Sequence, residues 1–274
     1  WQILFKDKYV RYFDVPQNYQ DGVGGQYYIH EMQVLRDDIG KLAGKPITDD
    51  ALRASIAVYN ENRRAVQELY KYRATKPWQA PTSEVYLVLR AGMVLPVEEH
   101  TQLVRDYIAA TDAVARPMRD NARIVLTGAF CEQPPLGLIK SIEMAGCYIV
   151  DDDFMLVMRM LFDDVVETGD PLDELSKSFL HRSMQTSSKY DEFKKDKGKY
   201  LLDSTKLNAG EGVIFAAPSF CDPALLERPM LQAVLNEHKI PYTAFKYAEN
   251  TGQMAPIREQ AGTFADSIKL WSAA

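Results

Sequence analysis

Residues 122–154 read ARIVLTGAFCEQPPLGLIKSIEMAGCYIVDDDF, and the reading of this stretch decides the fold class. Two apolar runs, Ile124–Leu126 and Tyr148–Val150, have the length of buried strands. Between them Leu136, Ile139, Ile142 and Glu143/Met144 recur at helical spacing. A buried run, an amphipathic helix and a second buried run make a β-α-β unit with parallel strands. Pro134 and Pro135 suit a first helical turn, where a missing N–H costs nothing. Ligands of such units gather at the carboxyl ends of the strands. The first strand ends in Gly128-Ala129-Phe130-Cys131-Glu132 and the second in Asp151-Asp152-Asp153, so a thiol and several carboxylates face one edge.

The same alternation continues toward the C-terminus. An apolar helix is expected over Met155–Val166 and another around Leu172–Leu180 after Asp170-Pro171. Residues 186–200 are polar and read as a solvated helix or loop. A third strand is expected at Gly212–Ala217, a helix at Pro223–His238 behind Asp222, a fourth strand at Tyr242–Tyr247 and a final helix from about Gln253 to Leu270. The fold class is therefore α/β: a helical layer, then a small four-stranded parallel-sheet, Rossmann-like domain with right-handed connections.

Upstream the periodicity is helical. Ile29, Met32, Leu35, Ile39 and Leu42 mark one helix ending at Gly44, and Thr48 caps the next, with Leu52, Ile56, Tyr59, Val66 and Leu69 on its apolar face. Lys76–Pro81 breaks that helix, Ser83 is expected to cap a third, and Pro96 precedes a fourth over Val97–Arg116 with an acidic first turn. No chemistry is evident in this layer. The opening runs Gln2–Phe5 and Tyr9–Val15 read as edge strands, and Asp21–Gly25 as a turn lacking phosphate-loop spacing. Three parts are expected: 1–25, a remnant of an N-terminal α/β domain; 26–120, helical; and 121–274, α/β. The chain opens without Met on what reads as mid-strand, so further chain is expected ahead of Trp1.

Composition narrows the function classes. At 274 residues with 46% hydrophobic and 26% charged residues, the chain is an ordinary globular sequence. A net charge of -6 argues against nucleic acid as a partner. No apolar run approaches the ~20 residues of a membrane span, so no membrane role is expected. No basic segment precedes an apolar one at the start, and three cysteines make no disulfide framework; both fit a reducing cytoplasm.

Those cysteines are the candidates for chemistry. Cys221 follows a buried strand and opens a helix, a placement that favours thiolate and suits a nucleophile or a metal ligand; the bland reading is a small buried apolar residue. Cys131 has the same placement after the first strand. Cys147 begins the second strand at the opposite edge and reads as core. Glu132 and Gln133 stand in the loop where a ligand would sit. Asp151–Asp153 suit a metal, a substrate hydroxyl or, for Asp153, a helix cap. Arg258 and Gln253 could meet an anion but read as exposed. His30, His100, His181 and His238 lie in helical or polar contexts, so a Cys/His protease arrangement is not expected.

The segments GAFCEQPPLGLIKSIEMAGCYIVDDDF, EGVIFAAPSFCDPALLERPMLQAVLNEHKIPYTAFKY and ENTGQMAPIREQAGTFADSI resemble the C-terminal portion of a 2-hydroxyacyl-CoA dehydratase family subunit. The CEQPP and GCYIVDDD wording is most similar to the branch containing the catalytic subunits of ATP-dependent benzoyl-CoA reductase. The resemblance implies a pseudo-symmetric heterodimer with a homologous second catalytic subunit, and a [4Fe-4S] cluster held by three cysteines. Cys221 in SFCDP matches the C-terminal ligand, and the two N-terminal ligands have no counterpart here; the resemblance assigns no ligand role to Cys131, which stays a possible metal residue by its strand-end placement. It further implies separate ATP-hydrolysing activator subunits that donate electrons, and reduction of benzoyl-CoA to a dienoyl-CoA with the thioester carbonyl stabilising a ketyl-type radical. The alternative within the family is (R)-2-hydroxyacyl-CoA dehydration, and a cluster-free scaffold subunit is a third reading.

Overall fold

The computed structural model describes residues 1–128, 134–154, 160–183, 197–248 and 254–272. Its helices and strands, in chain order, are a π-helical turn at Asp21–Gly25, where the sequence reads as a plain turn, then α1 (Gln26–Ala43), α2 (Asp49–Thr75), α3 (Thr82–Ala91), α4 (Val97–Asp112), β1 (Ala122–Thr127), α5 (Leu136–Met144), β2 (Cys147–Asp152), α6 (Pro171–Arg182), α7 (Lys199–Leu207), β3 (Gly212–Pro218), α8 (Asp222–Glu237), β4 (Tyr242–Tyr247) and α9 (Met254–Ser272). They fall into two compact units, Trp1–Asn60 with Asp163–Ser183, and Glu61–Phe162 with Met184–Ala274. The boundaries read from the sequence, at 25/26 and 120/121, fall inside these units, and α2 runs unbroken through residue 60.

In the larger unit the strands lie in the order β2-β1-β3-β4, all parallel. β1 and β3 are the inner strands, and every residue of β3 is buried, as expected of a parallel strand covered on both faces. Period-two alternation divides the side chains. Ile124, Leu126, Ile149, Ile214 and Ala216 join a core with residues of α2, α3, α5 and α9, whereas Val125, Val150, Val213 and Phe215 pack with Leu201, Leu231 and Leu235 of α7 and α8. The result is three layers, helix–sheet–helix. A register shift between Ile124 and Val125 sets Val125 opposite Asp151.

The smaller unit is built on α1 and α6. Tyr28 packs against Phe13 and Phe179, with centroids 5.7 and 4.8 Å away. Ser176 Oγ donates to Gly25 O at 3.2 Å. Asp170 caps α6, accepting from the backbone N–H groups of Leu172 and Asp173, both at 2.9 Å.

Several local expectations need correction. Gln2–Phe5 and Tyr9–Val15 form turns and irregular chain rather than strands. They have no ladder to join and are tied instead by side chains, Tyr9 to Asp38 and Arg11 to Glu31. Residues 160–166 are not helical, and 155–159 lie outside the described residues. Ser83 does not cap α3: Pro81 takes the N-cap position, and Ser83 N donates to Glu143 Oε1 at 3.3 Å. α4 ends at Asp112, four residues short of Arg116. α7 has no counterpart in the sequence reading, because its short polar sequence merges with the charged run before it.

Candidate functional site

The strand order reverses between β1 and β3: from β1 the chain goes to β2 on one side, then returns to lay β3 on the other. Such a switch point opens a crevice at the carboxyl ends of the two strands. β1 ends at Thr127-Gly128 and β3 at Pro218. The two ends approach closely. Gly128 has φ +103°, and a Cβ placed on it would stand 3.1 Å from Ala216 O. Only glycine takes that conformation without strain.

Cys221 sits at this edge, at the N-cap position of α8 and 4% exposed. A tight turn delivers it there. Cys221 N donates to Pro218 O at 3.0 Å, and Ser219 bonds to Tyr247 O through both its N–H, at 2.9 Å, and its hydroxyl, at 3.0 Å. The turn is thus pinned to the end of β4. Ala217 and Ala224 pack around the thiol, while neighbouring Phe220 is 94% exposed. Cys131, Glu132 and Gln133, expected at the same edge, lie outside the described residues, as does Gln253. Arg258 is exposed on α9.

Cys147 occupies the opposite, amino edge, paired in register with Ala122. Its sulfur lies 4.0 Å from Ala261 O, and burial pushes the thiol up to about 12. It is a core residue.

The three aspartates at the end of β2 are used internally. Asp151 accepts from Ser204 Oγ at 2.5 Å and Asn208 Nδ2 at 3.3 Å, both in or next to α7. Asp152 accepts from Tyr70 Oη at 3.0 Å and from Arg73 Nη1 at 2.7 Å, both on α2. Asp153 accepts from Thr127 Oγ1 at 2.6 Å and from Gly128 N at 2.8 Å. The acidic run therefore ties α7, α2 and the end of β1 to one strand. Tyr70 and Arg73 lie in a helix whose sequence shows no sign of chemistry, and sequence reasoning misses them; their i,i+3 spacing on one face is the available signal.

One further polar group borders the edge. Tyr200 is half-buried; burial first, then the charges of Asp153 and Glu227, raise its phenol well above its ordinary value. Lys197 Nζ lies 2.5 Å from buried Glu227 Oε1. Among the described residues no group of three or more His, Cys, Asp or Glu is arranged to hold a metal ion. One buried thiol at a helix N-terminus fits a single thiolate ligand of a cluster; the described residues do not complete a set.

A parallel α/β sheet with a cysteine turn at its switch point defines the class of architecture. The chain belongs to the 2-hydroxyglutaryl-CoA dehydratase, D-component family, whose model matches residues 1–268. It is 63% identical over 272 residues to one of the benzoyl-CoA reductase subunits of Thauera aromatica, covering 99% of this chain and 70% of that protein. It is 26% identical over 257 residues to the beta subunit of lactoyl-CoA dehydratase from Anaerotignum propionicum, covering 93% and 68%. It is also 26% identical over 271 residues to the beta subunit of (R)-2-hydroxyglutaryl-CoA dehydratase from Acidaminococcus fermentans, covering 98% and 71%. Among the described residues no helix is long and apolar enough to cross a membrane.

Proposed function

We propose that this chain is a subunit of a cytoplasmic iron–sulfur enzyme that reduces the aromatic ring of benzoyl-CoA to a dienoyl-CoA. The observation that carries the reading is the 63% identity to a benzoyl-CoA reductase subunit over nearly the whole chain, against 26% to the dehydratase subunits. (R)-2-hydroxyacyl-CoA dehydration is the second reading, favoured by the family match itself.

Cys221 would supply one thiolate to a [4Fe-4S] cluster. It stands at the N-cap position of α8, and burial with Ala217 and Ala224 keeps water from it. When bound, such a cluster supplies electrons at low potential. Cys131 is the further candidate ligand, with the remaining ligands outside this sequence. Glu132 and Gln133 are the candidates for contact with substrate.

A homologous second catalytic subunit is the proposed partner at this edge, where Phe220 leaves 94% of its surface in solvent and Leu226 76%. Separate ATP-hydrolysing activator subunits would deliver the electrons. Iron and acid-labile sulfide, measured on the anoxically purified complex, test the reading. A complex containing neither would leave only a cluster-free scaffold role.

A further inference from the structure

A second concavity lies at the amino end of β2, on the far edge of the sheet from Cys221. It encloses about 270 Å³, and its walls include Trp78 and Pro81 from the link between α2 and α3, Arg116 and Arg119 from the segment before β1, Glu143 of α5 and Tyr148 of β2. The family's proposed chemistry makes no use of it.

Its groups are arranged in a particular way. The Trp78 and Tyr148 rings stand 6.5 Å apart and are inclined at 57°. That spacing admits no ring between them, and both side chains line the cleft. Arg119 N donates to Tyr148 Oη at 2.8 Å, so the phenolic hydrogen is left to point elsewhere. Glu143 has a carboxyl raised by burial and accepts from Ser83 N at 3.3 Å. Arg116 is committed to Glu84, with contacts of 2.9 and 3.0 Å. The Arg119 side chain is exposed at the rim and has no ion pair among the described residues.

We propose that this cleft binds a purine nucleotide, with the base on Trp78, its amino-bearing edge toward Glu143, and a phosphate on Arg119. A purine has a flat face for the indole and, on one edge, adjacent donor and acceptor groups that a carboxyl pairs with. A guanidinium is the side chain suited to phosphate. The cleft is smaller than the ~300–1,000 Å³ of most ligand sites, so it takes the base and leaves the phosphate at the rim, where Arg119 stands. The nucleotide end of an acyl-CoA and a free nucleotide share this chemistry.

The test is calorimetric and fluorescence titration of the full-length chain with AMP, GMP, adenosine 3′,5′-bisphosphate and inorganic phosphate. Saturable nucleotide binding with tryptophan quenching is expected. The quench should disappear in Trp78→Phe, and affinity should fall about tenfold in Arg119→Ala, with partial recovery in Arg119→Lys. Inorganic phosphate alone should give no quench. Preference for adenosine 3′,5′-bisphosphate over AMP assigns the site to the end of an acyl-CoA, and equal or weaker binding assigns it to a free nucleotide. No saturable response to any nucleotide, or unchanged affinity in Arg119→Ala, overturns the proposal. Because Arg119 is exposed, its replacement leaves the core intact. The titration reads no electron transfer, so its failure and that of the reductase reading are separate results.

Discussion

Arg73 Nη1 lies 2.7 Å from Asp152 Oδ2, and the two side chains are 1% and 0% exposed. The guanidinium also rests over the Tyr70 ring, 4.4 Å from its centroid, and its Nη1 stands 3.4 Å from Thr82 Oγ1. This is the joint between α2 and the end of β2. Removing one member of a buried pair strands the other charge, at about 3–5 kcal/mol. Arg73→Met should therefore lose that much stability in urea unfolding. The double variant Arg73→Met/Asp152→Asn should lose clearly less than the sum of its two single changes. Additive losses would mean the two groups do not act as a pair.

His100 predicts a pH dependence. It is fully buried, with Asn62 Nδ2 2.9 Å from its Nδ1 and Val88 O 3.1 Å from its Nε2. Burial lowers its pKa. An unfolded chain takes up this proton near pH 6.5, whereas the folded chain resists it to lower pH. The histidine's contribution is thus complete above about 6.5 and is lost as pH falls from there toward the folded value. The stability difference between wild type and His100→Gln should be flat from pH 7 to 8 and shrink below pH 6.5. A difference that grows on acidification would contradict this.

Gly128 should not tolerate a side chain. Its φ is +103°, and an added Cβ would meet Ala216 O at 3.1 Å. Gly128→Ala should cost about 1–3 kcal/mol in strain. It should also weaken the bond from Gly128 N to Asp153. Thermal unfolding measures the first effect; amide exchange at residue 128 measures the second.

The two described cysteines should differ in chemistry. With its thiol held near 12, Cys147 should resist iodoacetamide at pH 8 in the folded protein and react after unfolding, as peptide mass mapping would show. Cys147→Ala should keep its iron and sulfide, whereas Cys221→Ala should lose cluster iron from the assembled complex. Full cluster content in Cys221→Ala would remove it from the ligand set.

These residues also mark how far sequence reaches. β4 could be read to the residue because its short aromatic-rich run, YTAFKY, follows Pro241 and is closed by polar residues after Tyr247. The switch point between β1 and β3 could not, because strand order is a long-range choice that no local pattern encodes. Cys221 was legible as a strand-end thiol at a helix start. The aspartates were not legible as ties, because their donors, Tyr70, Arg73, Ser204 and Asn208, lie 53 to 82 positions away in sequence or on a helix, α7, whose polar residues hid it. Gln2–Phe5 shows the converse: strand-like composition without a partner strand makes no strand.

The full-length chain, assembled anoxically with its partner subunits and supplied with ATP, a low-potential reductant and benzoyl-CoA, should form a dienoyl-CoA, detected by liquid chromatography with mass spectrometry. An assembly that leaves benzoyl-CoA unchanged but converts an (R)-2-hydroxyacyl-CoA to the enoyl-CoA would contradict the reductase reading.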